Sequence, residues 1–248
     1  MSTNYIEKVK RMQSSSWVGY WPLNEESGTT VYNAVTPSTW GTTTPEQNGT
    51  SVSLVRKPAT AGFLSPDGGV CAQFDGSTSY INMASALSSS ANTIGSMGIW
   101  AATPQANLSG TSTMVLFNFS VNANYELELR FDTTAYRFLA EHNANTSADT
   151  STSSLVYNVD EAPQDPDWHH FGMDYYDGGS LNFYVDGVAQ TAASSLTSWS
   201  GTLSATRMCL GASTTSITNA YNGFLSHFVW NNAIFTADEW AEIAKAGP

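Results

Sequence analysis

Two glutamates at alternating positions of one short run are the residues whose spacing could support chemistry. Glu126 and Glu128 lie in residues 126–132, Glu-Leu-Glu-Leu-Arg-Phe-Asp, where charged and apolar side chains alternate. In a β-strand this alternation places both carboxylates on one face, about 6.5–7 Å apart along the strand. Two carboxyl groups at about this separation could flank a glycosidic bond and hydrolyse it.

The same run also has an interpretation without catalysis. Arg130 stands two positions from both Glu128 and Asp132, so charges of alternating sign would form a ladder on an exposed sheet face. The sequence carries no Gly-x-Ser-x-Gly elbow, no Walker-type loop and no paired metal-binding histidine spacing. We therefore expect a solvated charge ladder and predict that the protein is not an enzyme.

The elements that position these residues have a period of two. Short β-branched and aromatic runs separated by Gly, Asn, Asp, Ser and Pro predict an all-β sandwich or barrel from Trp17 onward. Helical spacing occurs only at Asn4–Gln13 and after Thr236, where Thr-x-x-Glu forms a capping box. The predicted strands are 17–21, 70–74, 80–83, 94–101, 113–118, 125–131, 136–141, 154–159, 168–175, 180–185, 207–211 and 223–230, with loops at 36–52 and 144–153.

Composition narrows the function classes. Nine Lys and Arg stand against 21 Asp and Glu in 248 residues, a formal net charge of −12, which argues against nucleic acid and anionic membrane surfaces as partners. No apolar run is long enough to span a bilayer, and the first residues contain no apolar core of a secretory signal. Cys71 and Cys209 are expected to be buried free thiols, and the alternative is a single disulfide between them.

Four blocks of sequence, in order, resemble one family. Residues 20–30 (Tyr-Trp-Pro-Leu-Asn-Glu-Glu-Ser-Gly-Thr-Thr), 74–81, 168–187 and 221–232 with the terminal helix are similar to the motifs of concanavalin A-like lectin/glucanase domains of the laminin-G-like type. The resemblance implies a jelly-roll of two antiparallel sheets over residues 17–248, with residues 1–16 as a helical arm. Members of this family bind glycans, bind proteins, cleave glycosides or serve as structural modules, so fold alone does not decide function.

The chain departs from the family pattern at two places. Many relatives have an Asp that helps to hold calcium where this chain has Ser226, so we expect no metal and no cofactor. Asn24, Glu25 and Asp75 are the weak calcium candidates that remain. Family glucanases carry Glu-x-Asp-x-x-Glu or Glu-x-Asp-x-Glu, and Arg130 stands where the shorter pattern has its second Glu, which also lowers the expectation of catalysis.

Binding residues are predicted in two places. Tyr5, Ile6, Val9 and Met12 recur at helical spacing, and so short a helix is marginal alone, so it must dock on its own domain or on a partner. We expect the arm to dock on another protein or on sister subunits. A glycan site would use aromatic rings in or near loops, and its candidates are Trp40, Tyr157, Trp199 and Tyr221.

The function expected from these features is a non-catalytic, surface-displayed binding or structural module. A phage virion decoration, head-fibre or tail-associated protein would combine a low-charge, acidic body with the missing secretory signal. Its partners would be capsid or tail proteins, sister subunits and host-surface glycans, and it would face the outside as part of the virion. The alternatives are a free carbohydrate-binding lectin and a glycoside hydrolase that uses Glu126 and Glu128.

Overall fold

The described part of the chain folds into two helices and two sheets. The computed structural model describes residues 5–12, 17–34, 48–57, 70–84, 94–104, 113–144, 147–156, 168–176, 178–194, 196 and 202–246. The helices are α1 (Tyr5–Arg11) and α2 (Ala237–Lys245). None of the helices within these ranges is long and apolar enough to cross a membrane.

The strands form one nine-stranded and one eight-stranded sheet. The nine-stranded sheet holds β1 (Trp17–Trp21), β4 (Val55–Lys57), β5 (Cys71–Asp75), β7 (Ile94–Ala102), β12 (His169–Tyr176), β13 (Ser180–Val185), β14 (Val188–Ala189), β15 (Ala193–Ser194) and β17 (Asn222–Asn231). The eight-stranded sheet holds β2 (Thr30–Val31), β3 (Gly49–Val52), β6 (Tyr80–Asn82), β8 (Met114–Asn122), β9 (Tyr125–Asp132), β10 (Arg137–Ala144), β11 (Ser147–Val156) and β16 (Met208–Leu210).

The strand order confirms the predicted antiparallel β-sandwich of the jelly-roll type. The long path of one sheet runs β14-β13-β12-β7-β17-β5-β4, with β1 beside β17 and β15 beside β13. The other sheet runs β11-β10-β9-β8-β16-β6-β3-β2. Because neighbours in these orders are often far apart in sequence, the chain crosses repeatedly between the sheets, and every pairing observed within the described ranges is antiparallel.

The main core lies between the two sheets and is rich in aromatic rings. Phe119 on β8 packs against Phe228 and Trp230 on β17, with ring centroids 5.6 and 5.0 Å apart. Phe138 on β10 meets Phe171 on β12 with centroids 4.2 Å apart. These inward-facing residues alternate with outward-facing ones along each strand, so the register of the sandwich is fixed by its apolar pattern.

Two segments predicted as loops contain strands. Gly49–Val52 forms β3 between β2 and β6, and Ser147–Val156 forms the edge strand β11 beside β10. The prediction was wrong there because the Ser, Thr and Asp of 147–154 show no apolar alternation. Their pairing with β10 supplies backbone hydrogen bonds that the side chains do not signal.

Helix α1 does not extend as an arm but packs on the outer face of the nine-stranded sheet. Tyr5, Val9 and Met12 are buried there in a second core with Tyr20 and Trp100. This corrects the prediction that the apolar side of the arm docks on another protein, because the chain's own sheet already occupies it. Ile6 belongs to the same helix, but its side chain lies outside the described residues.

Helix α2 covers the same face and begins as predicted. The Thr236 hydroxyl accepts a hydrogen bond from the Glu239 backbone N–H, and the Glu239 carboxylate accepts one from the Thr236 backbone N–H. This capping box satisfies N–H groups that the first turn leaves without partners. Lys8 Nζ of α1 lies 3.9 Å from Glu242 Oε1 of α2, and this ion pair links the two helices.

Two further expectations from the sequence are confirmed. The hairpin between β13 and β14 turns at Asp186 and Gly187, both with positive φ (52° and 76°), as an Asp-Gly type I′ turn requires. Cys71 and Cys209 are buried free thiols.

Candidate binding site

A charged cluster lies on the face of the eight-stranded sheet that points away from the core. Leu127 and Leu129 of β9 point into the sandwich, so Glu126, Glu128 and Arg130 share the opposite face, as the alternation predicts. We call Glu126, Glu128, Arg130, Glu141 and Arg207 the Glu–Arg cluster.

Glu128 lies at the centre of this cluster and is held by several donors. Its Oε2 accepts hydrogen bonds from Asn118 Nδ2 at 2.8 Å and Ser213 Oγ at 3.2 Å. Ser213 is in turn an acceptor for Asn219 Nδ2 at 3.2 Å. Burial raises the pKa of Glu128, and the donors and Arg130 act against this shift. A fixed carboxylate in this position is an oriented hydrogen-bond acceptor.

Arg130 links strands β9 and β10 and does not form the predicted ladder. Its Nη2 lies 2.7 Å from Glu141 Oε2, and its Nη1 lies 3.5 Å from Glu128 Oε1. Glu141 pairs with Glu128 in the register of β10 and β9, so one guanidinium serves both carboxylates. Asp132 accepts hydrogen bonds from the backbone N–H groups of Thr134 and Ala135. The ladder is therefore corrected to a cross-strand pair of carboxylates around Arg130, and both carboxylates are buried.

Glu126 forms the second ion pair of the cluster. Arg207 Nη1 lies 2.9 Å from Glu126 Oε1. Burial raises the pKa of Glu126 to about 7, with a further contribution from the negative charge of Glu128 and an opposing one from Arg207. This carboxyl group therefore changes charge near neutral pH, which is common at functional sites.

The exposure of the cluster decides what it can contact. The side chains of Arg130, Arg207 and Glu126 are 29%, 26% and 18% exposed, whereas those of Glu128 and Glu141 are 4% and 7% exposed. The surface thus offers guanidinium donors and one carboxylate acceptor above two deeper carboxylates. Groups of this kind bind ligands that both donate and accept hydrogen bonds.

Two of the five residues of this cluster, Glu141 and Arg207, could not be identified from the sequence run that contains Glu126. Glu141 is brought in by the register of β10, and its place in a predicted strand was the available signal. Arg207 is separated from Glu126 by 81 positions in the sequence, and Ser213 from Glu128 by 85. Only the pairing of β16 with β8 places that later segment beside β9.

The calcium candidates have local structural contacts. Asp75 accepts hydrogen bonds from the backbone N–H groups of Ser77, Thr78 and Ser79. Partial burial raises the pKa of Asp75, but these hydrogen bonds outweigh it and hold the pKa well below the usual range. Glu25 accepts a hydrogen bond from the Tyr32 backbone N–H at 2.7 Å.

Asn24 completes the set of calcium candidates and is exposed. Within the described ranges, no three His, Cys, Asp or Glu side chains are arranged to hold a metal ion. Oε1 of Glu25 and Oδ1 of Asp75 are thus already occupied by backbone N–H groups.

The aromatic candidates for a glycan site are not brought together. Tyr221 is fully buried, and its hydroxyl lies 2.8 Å from Thr103 Oγ1 in a hydrogen bond. It therefore offers no exposed ring to a sugar, which corrects its assignment. Trp40, Tyr157 and Trp199 lie outside the described residues.

Comparison with known proteins identifies the fold but no family. No protein-family model matches the chain, and no curated protein matches it. Among solved structures, it is similar to the receptor-binding domain of botulinum neurotoxin mosaic serotype C/D, with 9% identity and a TM-score of 0.64 over 93% of this chain and 51% of that one.

Two further botulinum neurotoxin structures have the same relation to this chain. The binding domain of serotype G shows 10% identity and a TM-score of 0.63, covering 92% of this chain and 50% of that one. The serotype D ligand-binding domain in complex with N-acetylneuraminic acid shows 10% identity and a TM-score of 0.59, covering 93% and 51%. The chain spans about half the length of these proteins and shares with them a β-sandwich fold.

Proposed function

We propose that this protein is a non-catalytic carbohydrate-binding module that binds sugar hydroxyl groups at the Glu–Arg cluster. The observation that carries the proposal is the arrangement of Arg130 between Glu128 and Glu141 beside the ion pair of Glu126 and Arg207. A sugar hydroxyl both donates and accepts, so it can bind to a carboxylate and a guanidinium at once.

The mutual contacts within the cluster favour binding. Because each side chain is already held by its neighbours, little rotamer freedom is lost when a ligand arrives. The shared fold with a domain solved in complex with N-acetylneuraminic acid supports a sugar as the ligand. That support comes from the fold alone, and the cluster of this chain supplies the chemical argument.

The charges of the cluster favour a neutral sugar over an acidic one. Three glutamates face two arginines, and both guanidiniums are already paired with carboxylates. A sugar carboxylate would therefore meet excess negative charge in a chain with a net charge of −12. We propose neutral glycans as the ligand class.

A binding assay with matched sugars tests this proposal. Calorimetry with neutral oligosaccharides and their sialylated counterparts should give heat only with neutral sugars. Glu126→Ala should weaken binding about tenfold or more, since one charge-assisted hydrogen bond is lost. Glu242→Gln on α2 is the control and should leave binding unchanged. Absence of binding by every glycan of an array would contradict the proposed function.

One substitution tests the ligand class separately. Glu141→Gln removes a negative charge and weakens the hold on Arg130, so binding of a sialylated oligosaccharide should become measurable. If the unaltered protein binds sialylated and neutral sugars equally well, carbohydrate binding stands and the neutral class is wrong.

Glycoside hydrolysis by Glu126 and Glu128 is the second candidate. The raised pKa of both groups and their shared sheet face favour it. Binding is the better proposal because Asn118 and Ser213 hold Glu128 and Arg207 holds Glu126. Release of reducing sugar that Glu128→Gln abolishes would establish hydrolysis in its place.

Display on a bacteriophage particle is our proposal for the setting of this module. Its support is the acidic, low-charge composition. Attachment would need a surface other than the apolar side of α1, which the sandwich covers. Detection of the chain in purified particles by mass spectrometry tests the proposal, and its absence from every particle fraction would contradict it.

A further inference from the structure

A fully buried histidine lies between helix α1 and the nine-stranded sheet. His170 on β12 faces away from the main core, and its Nε2 lies 3.4 Å from the Tyr5 hydroxyl of α1. Its Nδ1 is buried and has no hydrogen-bond partner among the residues that the structure describes. A buried ring nitrogen without a partner is costly and calls for an explanation.

The surroundings of His170 are aromatic and tightly packed. Trp100 and Trp240 lie with their ring centroids 5.2 and 5.7 Å from that of His170. A Cβ placed on Gly98 would lie 3.2 Å from His170 Nε2, so the site is closed by packing on that side too. This packing leaves a charged imidazolium without hydration.

A second histidine contacts the same tyrosine. The ring of His227 on β17 lies 4.7 Å from that of Tyr5, and its Nδ1 lies 2.6 Å from the Tyr20 hydroxyl. His227 has a positive φ of 52° and lies in an irregular stretch of β17, between Ser226 and Val229. A non-glycine residue in this conformation persists only where its surroundings hold it.

The charged groups near His170 lie on its own strand, β12, and on two other elements. Asp186, in the β13–β14 turn, accepts a hydrogen bond from the His170 backbone N–H at 2.8 Å and favours a positive ring. The Asp174 carboxylate accepts hydrogen bonds from the Ser96 hydroxyl and from the indole N–H of Trp240 on α2. Neither of these bonds involves α1. A positive charge on His227 would oppose one on His170.

We propose that the contact between α1 and His170 is an acid-sensitive latch. Protonation of His170 would release α1 and uncover the aromatic surface that Tyr5, Val9 and Met12 cover. Helix α1 is the element that yields because it has only seven residues, and the ion pair that its described side chains make with α2 is long, whereas β12 is hydrogen-bonded on both edges.

The direction of the effect follows from linkage. Burial, with a contribution from His227, lowers the pKa of His170 to about 3, while Asp186 acts in the opposite direction. A histidine freed to solvent has a pKa near 6.5, so the released state binds the proton more readily. Docking is fully favoured above pH 6.5 and weakens as pH falls from there toward 3, by up to about 30-fold at pH 5.

Asp174 changes stability in the opposite sense. Burial raises its pKa to about 6, although hydrogen bonds from Ser96 and Trp240 limit the rise. Protonation of Asp174 in the same acidic range therefore increases the stability of the folded state. Asp174 is bonded to Trp240 of α2, so this stabilisation acts on the packing of α2. Release of α1 should consequently occur without loss of α2 or of the sheets.

Hydrogen exchange of the full chain tests the latch. Amide protection is measured by mass spectrometry between pH 7.5 and 5, corrected for the intrinsic pH dependence of exchange. We expect protection of the α1 peptide to fall by up to about 30-fold while that of β7 and β17 stays constant. Equal loss of protection in α1 and in the sheets would overturn the proposal, as would unchanged protection of α1.

Variants assign the effect to His170. His170→Phe keeps a ring that cannot be protonated, so α1 should stay protected at pH 5. Arg137→Met changes an exposed residue of β10 in the other sheet and should behave like the unaltered protein. If His170→Phe does not fold, the imidazole ¹⁵N shifts of His170 in the unaltered protein decide the matter. They should report protonation over the interval in which α1 loses protection, and protonation with α1 still protected would refute the latch.

Discussion

Removal of Arg130 should destabilise the protein in a manner that depends on pH. Arg130→Met leaves Glu128 and Glu141 facing each other across β9 and β10 without their shared cation. Breaking a fully buried ion pair costs about 3–5 kcal/mol. The side chain of Arg130 is 29% exposed, and Asn118 and Ser213 still donate to Glu128, so we expect about 2–3 kcal/mol at pH 7.5.

The loss should shrink as the solution is acidified. The positive charge of Arg130 lowers the pKa of Glu128, so its removal raises this pKa further above the unfolded value. A folded state with a raised carboxyl pKa binds more protons than the unfolded state, and its stability therefore rises as pH falls. At pH 5 the variant should have regained most of the lost stability relative to the unaltered protein.

Denaturant unfolding at pH 7.5, 6.5, 5.5 and 5 measures this effect. A loss of this size corresponds to a decrease in Tm of about 4–12 °C for a domain of this length. Arg137→Met is the matched control, because Arg137 is an exposed arginine on the adjacent strand. A penalty that is the same at every pH would refute the assignment of Arg130 to the two carboxylates.

Three further predictions concern single positions. The folded-state pKa of Glu126 is about 7, against 4.5 ordinarily, so stability from this group falls as pH rises from 4.5 to 7; Glu126→Gln should flatten that dependence in denaturant unfolding. Gly172→Ala would place a Cβ 2.7 Å from the Trp240 ring and should lower stability by about 1–3 kcal/mol, measured by calorimetry. Thr236→Ala removes the cap of α2 and should cost about 1 kcal/mol, whereas an unchanged Tm would show that the capping box is not formed in solution.

The period-two pattern predicts much of the sandwich because it reports which face of a strand is buried. Trp17–Trp21 and Ser180–Val185 have the predicted bounds, and alternation correctly puts Glu126 and Glu128 on one face. The burial of that face could not be predicted. It depends on Arg207 and Ser213, which a strand pairing distant in sequence brings over β9.

The position of α1 shows a second limit of pattern analysis. Amphipathic spacing shows that Tyr5, Val9 and Met12 need a partner, but it does not say whether that partner is the same chain. The signal for an intramolecular partner is in β1, where all five residues are buried. A strand with apolar residues on both faces must be covered on both sides, so Trp17 and Tyr20 indicate a covering element outside the sandwich.

The two outer faces of the sandwich respond to protons in different ways. On the eight-stranded sheet, protonation of Glu126 removes one negative charge and leaves two carboxylates balanced by Arg130 and Arg207. This change occurs near pH 7 without any need for movement. On the nine-stranded sheet, His170 can take up a proton only when α1 moves away from it, because the ring is fully buried and its Nδ1 has no acceptor among the described residues. Since the first effect reduces repulsion of acidic sugars and the second uncovers an apolar surface, acidification should relax ligand discrimination on one face and expose a contact surface on the other.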